Sequence, residues 1–532
     1  MEVVPSAHPP SFPPTHPPTQ WTTLPEHFKN HGFWTAGSGK LFHPDLPPND
    51  DNPRSWSINY TDPGENQGCT CPTTGVPGAP MYCELPADTD CPDVVVADTV
   101  VAQMRAWKAA QSGVEGGGSG GVGGGGDGGG GGATPPKPHQ PFFLGLGIHK
   151  PHLPWGAPKQ YFDQYPPASA LPLATHKYVP ENMPPVAYHH CQWGPFPWNS
   201  SKGTPIDDAI AGEARRGYYA AISFADHLVG TVLEELDAIG ESDNTVVLFS
   251  SDHGWQLGEH NEWCKETVFE LSLRIPFMIR LPRAAGGSPT PPGTTRVFAE
   301  NIDIYRTLAD LAGVPDVEEG VDGVSLAPLL RYGSGDEGGL KEGTGVAAAA
   351  VAALRSEKTA AFAQHARCLR DPAHGYSPID PYTTADSCTV TPRENLDWMG
   401  YSIRTDDWRY TAWVGWNGTS LTPHWDVVNA TELYVHTVEE YGAGGDEGEG
   451  GGEGGEGGGG EGTRGGSGPS DQDFDAWENV NVVNKPGHAA VVTALHGQLQ
   501  AHFDRFALPY QAGSGLEFLA PQGTTGKLEP GY

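Results

Sequence analysis

The chain lacks an apolar run long enough to cross a membrane. None of its 532 residues belongs to a stretch that approaches the roughly 20 consecutive apolar residues of a transmembrane helix. The first twenty residues, MEVVPSAHPPSFPPTHPPTQ, are rich in Pro and His and contain no apolar signal-peptide core. The sequence therefore predicts no membrane span and shows no signal peptide.

Positive charge is also scarce. Lys and Arg number 31 against 65 Asp and Glu, which gives a formal net charge of −34. Proteins that bind nucleic acid need a basic surface, so this composition argues against that class of partner. A small anionic substrate is not excluded, because a few local Lys, Arg or His side chains can offset the global charge.

Cys-x-x-Cys pairs are absent, although the chain has eight cysteines. Zinc sites usually contain such pairs, so the cluster Cys69, Cys71, Cys83 and Cys91 favours disulfide bonds, with a zinc cluster as the alternative. Disulfide bonds indicate an oxidising compartment. Four glycosylation sequons, which begin at Asn59, Asn199, Asn417 and Asn429, agree with this indication.

Low-complexity tracts divide the chain. It contains 73 Gly and 51 Pro, and Gly-rich stretches bury too little apolar surface to offset their conformational entropy. The composition predicts a start unlike the rest at 1–20, an α/β domain at 21–332, a low-complexity and loop segment at 333–394, and a smaller C-terminal subdomain at 395–532. Gly-rich inserts are expected at 115–132, inside the first domain, and at 441–470, where the insert also contains Glu.

Hydrophobic periodicity predicts the fold class. Apolar residues spaced by three and four from Ile206 to Ile239 indicate one long amphipathic helix, and Asp93–Gln111 is a second helix. Short apolar runs at Phe142–Gly147, 245–249 and IPFMIRLP are typical of buried strands. Because strands alternate with helices, we expect an α/β fold with a mainly parallel sheet flanked by helices. The tail, which includes MGYSIRTDDWRYTAWVGW, predicts an antiparallel hairpin within an α+β subdomain and a closing helix at 486–507.

Polar residues cluster at or just after three of these strands. They are Lys40 with His43, Lys150 with His152, and Asp252-His253 with Lys265. In open α/β sheets the ligand crevice lies beyond the carboxyl ends of the strands, so we expect these side chains to converge there.

Four segments in this order resemble the type I sulfatases, and within them the iduronate-2-sulfatase branch. The segments are GSGKLFHP, PFFLGLGIHKPHLP, SDHGWQLGEHNEWCKE and MGYSIRTDDWRYTAWVGW, and DGVSLAPLL and ENVNVV add weaker support. The resemblance extends from about Trp21 to Phe506, apart from the Gly tracts. It implies an alkaline-phosphatase-like α/β fold and a calcium-dependent hydrolase of sulfate esters on sulfated sugars or glycosaminoglycan-like substrates. It also implies a lysosome-like or extracellular location.

The resemblance assigns roles position by position. Asp252 and His253 match the second pair of residues of the family's calcium site, and Lys40 and Lys265 match the lysines that hold the sulfate. His43 and His152 match the site histidines. Four neighbouring polar residues could equally belong to ordinary polar loops: His149, Lys150, Glu259 and His260.

Two features of the family are missing from the chain. The first is the Asp-Asp pair that completes the calcium site. The second is the Cys-x-Pro-x-Arg type motif whose Cys or Ser becomes the formylglycine nucleophile. No Arg has a Cys or Ser four positions before it, and the Asp-Asp pairs at 50–51, 207–208 and 406–407 follow no apolar strand.

The sequence therefore predicts a sulfatase that lacks its front segment and is inactive as written, rather than a natural inactive relative. Two other functions stay open. One is a phosphoesterase or phosphodiesterase of the same superfamily, and the other is a non-catalytic protein that binds sulfated glycans.

Overall fold

The computed structural model describes residues 22–42, 49–64, 71, 81–87, 89–112, 134–189, 205–282, 293–318, 320–332, 345–367, 396–436 and 478–504. The helices in these ranges are α1 (Leu24–Asn30), α2 (Pro92–Gln111), α3 (Lys159–Phe162), α4 (Asp208–Ala238), α5 (Glu270–Leu273), α6 (Asp303–Ala312), α7 (Ala327–Tyr332), α8 (Val346–Glu357) and α9 (Ala489–Asp504). None of them combines the length and the apolar character that crossing a bilayer would require.

The strands are shorter than most of the helices. They are β1 (Trp34–Gly39), β2 (Tyr82–Leu85), β3 (Phe142–Gly147), β4 (Trp155–Pro158), β5 (Val247–Ser250), β6 (Phe277–Arg280), β7 (Ala361–Arg367), β8 (Trp398–Arg404), β9 (Trp408–Asn417) and β10 (Thr422–Val435).

Two parallel strand pairs and two long helices form the larger region. Strand β1 pairs with β3 in parallel, and β2 pairs with β4 in the same sense. Helices α2 and α4 pack on this framework through an apolar cluster that includes Val100, Met104 and Leu236, against Leu144 and Leu146 of β3. Both helices lie within a few residues of the bounds that periodicity predicts, because each presents one continuous apolar stripe to the strands.

The strand that precedes Asp252 pairs differently from the sequence prediction. Strand β5 is hydrogen bonded to β6 in the antiparallel sense, with Val247 opposite Arg280 and Ser250 opposite Phe277. The α/β class is confirmed, but this strand is not a member of the parallel pairs among the described residues. Neither β5 nor β6 is the buried strand that the sequence predicts, since Phe249 is 39% and Met278 57% exposed. Hydrophobicity predicts a strand without specifying its partner or its burial.

The C-terminal region is an antiparallel sheet with the strand order β10-β9-β8-β7. Strands β8 and β9 form the predicted hairpin, and Asp406 and Asp407 lie between them. Helix α9 covers one face, where Leu495 and Leu499 join a core that contains Tyr401 and Ile403. A second layer of apolar side chains thus stabilises this sheet independently of the parallel pairs.

The segment 333–394 is not simply the low-complexity and loop region that composition predicts. Helix α8 and strand β7 both lie inside it, and β7 is an edge strand of the C-terminal sheet. The Ala-rich run forms α8 because alanine has the highest intrinsic helix propensity. The pairing of β7 with β8 is a tertiary contact that composition does not reveal.

The disulfide prediction is confirmed for the described cysteines. Cys71 and Cys83 are bonded to each other, and Cys91 and Cys264 are also in disulfide bonds. A disulfide sulfur is not a thiolate and does not bind zinc as one. The zinc alternative is therefore wrong for these positions.

A buried ion network joins the two regions. The Arg409 side chain of β9 contacts Glu270 of α5 and donates through Nε to Glu478 Oε1 at 2.6 Å. Glu478 Oε1 also lies 2.9 Å from His436 Nε2, and Glu478 Oε2 accepts the Glu270 backbone N–H at 2.6 Å. All these side chains are buried, so each charge depends on its partners for stabilisation.

We expect Arg409→Leu to destabilise the protein by about 3–5 kcal/mol, because it removes the buried cation that Glu270 and Glu478 share and leaves them only Arg404 and His436 as close partners. The measurement is urea unfolding followed by far-UV circular dichroism. Arg105→Leu is the matched control, since Arg105 is 66% exposed in its ion pair with Glu235 and should contribute much less to stability. Equal losses in the two variants would contradict the assignment.

Candidate active site

Lys40 follows directly on the end of β1, where two glycines bring the chain close to β3. The Lys40 backbone N–H donates to Gly147 O at 2.8 Å. Gly39 has a φ of +86°, and a Cβ there would lie 2.0 Å from Gly147 O. Only glycine tolerates both the left-handed backbone and this approach. Lys40 therefore leaves the sheet next to the loop that follows β3.

That loop contains His152. Its backbone N–H donates to His149 O at 2.9 Å, and its Nδ1 lies 2.9 Å from Leu153 O. A carbonyl can only accept, so Nδ1 carries the hydrogen, and Nε2 of the neutral ring is the acceptor. Because β1 and β3 are parallel, Lys40 and the His152 loop leave the same edge of the pair.

Asp252 and His253 form a turn just after β5. The Asp252 side chain is 69% exposed, and its Oδ2 lies 3.4 Å from His253 Nε2. Asn301 Nδ2 donates to Ser251 O at 3.0 Å and, at 3.4 Å, to Asp252 O, while the Asn301 Oδ1 accepts from Ser250. The amide of Asn301 thus fixes the backbone of the turn.

Electrostatics link Asp252 to both candidate sulfate lysines. Burial alone would raise the pKa of Asp252, but the charges of His253, Lys265 and Lys40 outweigh it and lower that pKa. Burial lowers the pKa of His253, and the nearby Lys265 lowers it further against the opposing effect of Asp252. Asp252 is therefore an anion and His253 a neutral imidazole near pH 7.

The structure thus brings Lys40, Asp252, His253 and Lys265 into one electrostatic neighbourhood. His152 lies on the loop beside Lys40, and His43 lies outside the described residues. The four polar residues that the sequence left open have structural contacts. Lys150 Nζ donates to Pro154 O, Glu259 pairs with Arg215, and His260 is buried against Phe269 with its Nδ1 2.8 Å from Gln256 Oε1.

The fourth of these residues, His149, belongs to a group that sequence reasoning missed. Its imidazole is buried between Asp62 and Asp93. Asp93 lies in the first turn of α2, and Asp62 lies in the sequence Thr61-Asp62-Pro63-Gly64, which signals only a turn. Asn301 was missed as well, since a lone Asn before a helix usually indicates a cap.

Two other groups in the described part of the chain have the spacing of metal ligands, but neither suits a metal. Cys264, which lies with His189 and Glu266, is in a disulfide bond and offers no thiolate. In the second group, Glu270 and Glu478 pair with Arg409, and His436 pairs with Glu478. The negative charge of the two carboxylates is therefore already compensated.

Comparisons with known proteins identify a family for this part of the chain. A family model described as Sulfatase matches residues 134–314, which include His152, Asp252, His253 and Lys265. The iduronate 2-sulfatase of Mus musculus is 29% identical over 461 residues, which cover 78% of this chain and 74% of the mouse protein. The iduronate 2-sulfatase of Homo sapiens is 27% identical over 468 residues, with the same two coverages.

The fold has a solved counterpart as well. A phosphonate monoester hydrolase from Silicibacter pomeroyi superposes with a TM-score of 0.51, over 91% of this chain and 80% of that one. At 18% sequence identity this likeness concerns the fold alone. With the matched domain and the two mammalian relatives, it leads to one conclusion: residues 134–314 form a sulfatase domain, most of the chain is similar to sulfuric ester hydrolases of the iduronate 2-sulfatase type, and the fold is alkaline-phosphatase-like.

Proposed function

We propose that this protein acts on sulfate esters of sulfated sugars, of the kind for which its iduronate 2-sulfatase relatives are named. One observation carries the proposal: two ammonium groups, Lys40 and Lys265, act on the same exposed carboxylate of Asp252 beside His253. A chain with a net charge of −34 has no general affinity for anions, so a local concentration of cations is informative.

The lysines match the needs of a sulfate monoester. The group presents several hard oxygen acceptors and one negative charge, which shifts toward the leaving oxygen as the ester S–O bond breaks. Ammonium groups held around the sulfate offset that charge in both the ground state and the transition state. We assign Lys40 and Lys265 to this role, in agreement with their positions in the family motifs.

Two histidines are candidates for proton transfer to the leaving oxygen. An imidazole is suited to this step because its ordinary pKa lies near neutral pH. His152 has its Nδ1–H directed to Leu153 O, so its Nε2 is the nitrogen that exchanges a proton with the substrate. We assign the same class of role to His43 on the family motif alone.

The charges of the two residues assigned to the metal site support a cation there. Asp252 is an anion, and the Nδ1 of His253 lies 2.7 Å from Gly254 O, which makes Nε2 the lone-pair donor. We propose these two residues as ligands for Ca²⁺. The ion would supply Lewis-acid stabilisation of the sulfate oxygens when bound. Calcium takes about six to eight oxygen ligands, so Asp252 and His253 hold it weakly without further carboxylates.

The residues present do not fit a formylglycine. No Cys or Ser stands four positions before an Arg anywhere in the sequence, so the modified nucleophile has no precursor motif here. We therefore derive no covalent step. We propose that residues 1–532 by themselves bind the substrate without turning it over, as expected of a sulfatase chain without its nucleophile motif.

A secretory or lysosome-like location is part of the proposal. The disulfide bonds of Cys71, Cys83, Cys91 and Cys264 suit an oxidising compartment. Two sequon residues, Asn59 and Asn429, have exposed side chains and are accessible to glycosylation.

We expect Lys265→Ala to weaken binding of a sulfated iduronate disaccharide by residues 1–532, because the variant loses one ammonium group that faces the sulfate. The same change can be made in a longer protein that also contains the Asp-Asp pair and the Cys-x-Pro-x-Arg motif. There it should cost about 2–4 kcal/mol of transition-state stabilisation. The measurements are isothermal titration calorimetry and initial rates.

Lys159→Ala is the matched control for this variant. Lys159 is 59% exposed and pairs only with the exposed Asp163 in the ion-pair contacts of the structure. Both variants should unfold within a few degrees of the parent. Unchanged affinity and turnover in Lys265→Ala would remove the sulfate-binding role of this lysine.

We also expect no sulfatase turnover above background from residues 1–532, since no nucleophile is available to attack sulfur. The assay compares this chain with the longer protein that contains both motifs. Each protein is given a chromogenic aryl sulfate and a sulfated iduronate disaccharide in the presence of calcium. Clear turnover by residues 1–532 would show that another residue is the nucleophile.

A further inference from the structure

A histidine outside the assigned catalytic groups is clamped between two acids. His149 Nδ1 lies 2.9 Å from Asp93 Oδ1, and its Nε2 lies 3.2 Å from Asp62 Oδ1. The side chains of His149 and Asp93 are each 3% exposed, and that of Asp62 is 8% exposed. Such complete burial of three ionisable groups is costly unless they compensate one another.

His149 Nδ1 is within hydrogen-bond distance of Asp93, whereas its Nε2 is close to Asp62 without a well-directed hydrogen bond among the described residues. The charges of the two carboxylates nevertheless favour a doubly protonated imidazole. Burial alone would lower the pKa of His149, but Asp62 and Asp93 outweigh it and raise that pKa to about 9. The pKa values of both carboxylates are lowered, since the nearby imidazolium outweighs their burial. Near pH 7 this group therefore consists of a cation between two anions.

Asp93 has a second task besides holding the ring. Its Oδ1 accepts the backbone N–H of His149 at 2.8 Å, and its Oδ2 accepts the backbone N–H of Lys150 at 2.9 Å. One carboxylate in the first turn of α2 thus fixes both the side chain and the backbone at the start of the loop after β3. The next fixed point in that loop is His152, whose N–H donates to His149 O.

Asp62 connects the same histidine to the end of β1. Its neighbour Thr61 accepts through its carbonyl from the Gly39 N–H at 3.0 Å and from Ser38 Oγ at 2.7 Å. The charge of Lys40 contributes to lowering the pKa of Asp62, so this carboxylate lies within electrostatic range of Lys40 and beside His149. The Oδ2 atom of Asp62 is buried and has no hydrogen-bond partner among the described residues.

We propose that Asp62, His149 and Asp93 form a positioning unit that fixes Lys40 and the His152 loop relative to each other. The proposal rests on the function proposed above, since it assigns the unit to the sulfate-binding edge of that site. None of the three side chains is assigned to contact the substrate. Their effect acts through the ammonium group of Lys40 and the imidazole of His152.

This role can be distinguished from a simple effect of charge. Asp62 is an anion near an anion site, so its neutralisation alone would strengthen the binding of sulfate. If Asp62 positions Lys40 and His149, the same neutralisation weakens binding because the cations lose their alignment. The two explanations therefore predict opposite signs for one variant.

The experiment titrates inorganic sulfate and a sulfated iduronate disaccharide into residues 1–532 by calorimetry near pH 7. We expect Asp62→Asn to bind both ligands roughly 10- to 100-fold more weakly, the size of effect seen when residues that orient a site are altered. Asp163→Asn is the control. Asp163 directly follows α3 and is exposed in its ion pair with Lys159, so the variant loses the same charge outside the proposed unit. Unchanged or tighter binding by Asp62→Asn would overturn the proposal.

A second measurement, the melting temperature as a function of pH, does not depend on whether the protein binds sulfate. His149 has a raised pKa in the folded protein, so its stabilisation is complete below pH 6.5 and is lost as the pH rises through about 9. Asp62→Asn removes much of that stabilisation. The melting temperature of Asp62→Asn should therefore lie furthest below the parent's at or below pH 6.5, and the gap should shrink above pH 9.

Other groups titrate in this window, including Glu262, whose burial raises its pKa to about 8. These groups titrate in the parent and in the variant alike, so their contributions cancel in the difference between the two melting temperatures. Asp50, Lys40 and Lys150 also lie near the unit, and burial together with the charge of Asp62 raises the pKa of Asp50. His149→Gln, which keeps an amide donor for Asp93 but has no charge, should abolish the same pH dependence if Asp62→Asn does not fold.

The outcomes separate the two proposals. A gap between parent and Asp62→Asn that does not change with pH would overturn the positioning unit. If parent and variants all fail to bind sulfate while the gap narrows as expected, the anchoring by His149 is supported and the proposed function is contradicted.

Discussion

The hydrogen bond from the Lys40 N–H to Gly147 O is the constraint on which the rest of the site depends. It exists because β1 and β3 are parallel and each ends in a glycine, so that the two backbones approach more closely than side chains permit. The contact brings a lysine from one loop beside the start of the next. The charge of Lys40 contributes to lowering the pKa of Asp62 and the pKa of Asp252.

A strongly acidic protein can bind an anion only where its cations are held in place. Lys265 and Lys40 are half-buried around Asp252, and His149 adds a third cation that is locked between two carboxylates. The acids in this neighbourhood hold the cations in place, although their charge by itself weakens the attraction for an anion. Locally fixed cations of this kind allow a chain with 65 acidic and only 31 basic residues to bind a sulfate ester.

Several conspicuous polar residues of the motif SDHGWQLGEHNEWCKE have structural rather than chemical tasks. Glu259 accepts from Arg215 and from the Leu257 N–H, while His260 is buried with Gln256 as its partner. Their contacts shape the loop between His253 and Lys265. A loop dense in polar residues is thus stable because most of them satisfy one another, and the few that remain half-buried or exposed are those assigned to the substrate and the metal.

Sequence motifs alone indicated the resemblance to sulfatases and the α/β class. They also predicted one long helix from Ile206 to Ile239, which the structure has at Asp208–Ala238. The candidate site residues came from the same local patterns: Lys40, His43, His152, Asp252, His253 and Lys265. Tertiary structure decided which strands pair. Strand β5 pairs with β6, and β7 joins the C-terminal sheet, although hydrophobicity does not encode either partner. It also decided the role of Asp62, which is 87 residues from His149 in the chain, as the numbers of the two positions show. An isolated Asp in a turn has no signature in sequence, and only the folded chain, by burying it against an imidazolium, makes its charge matter.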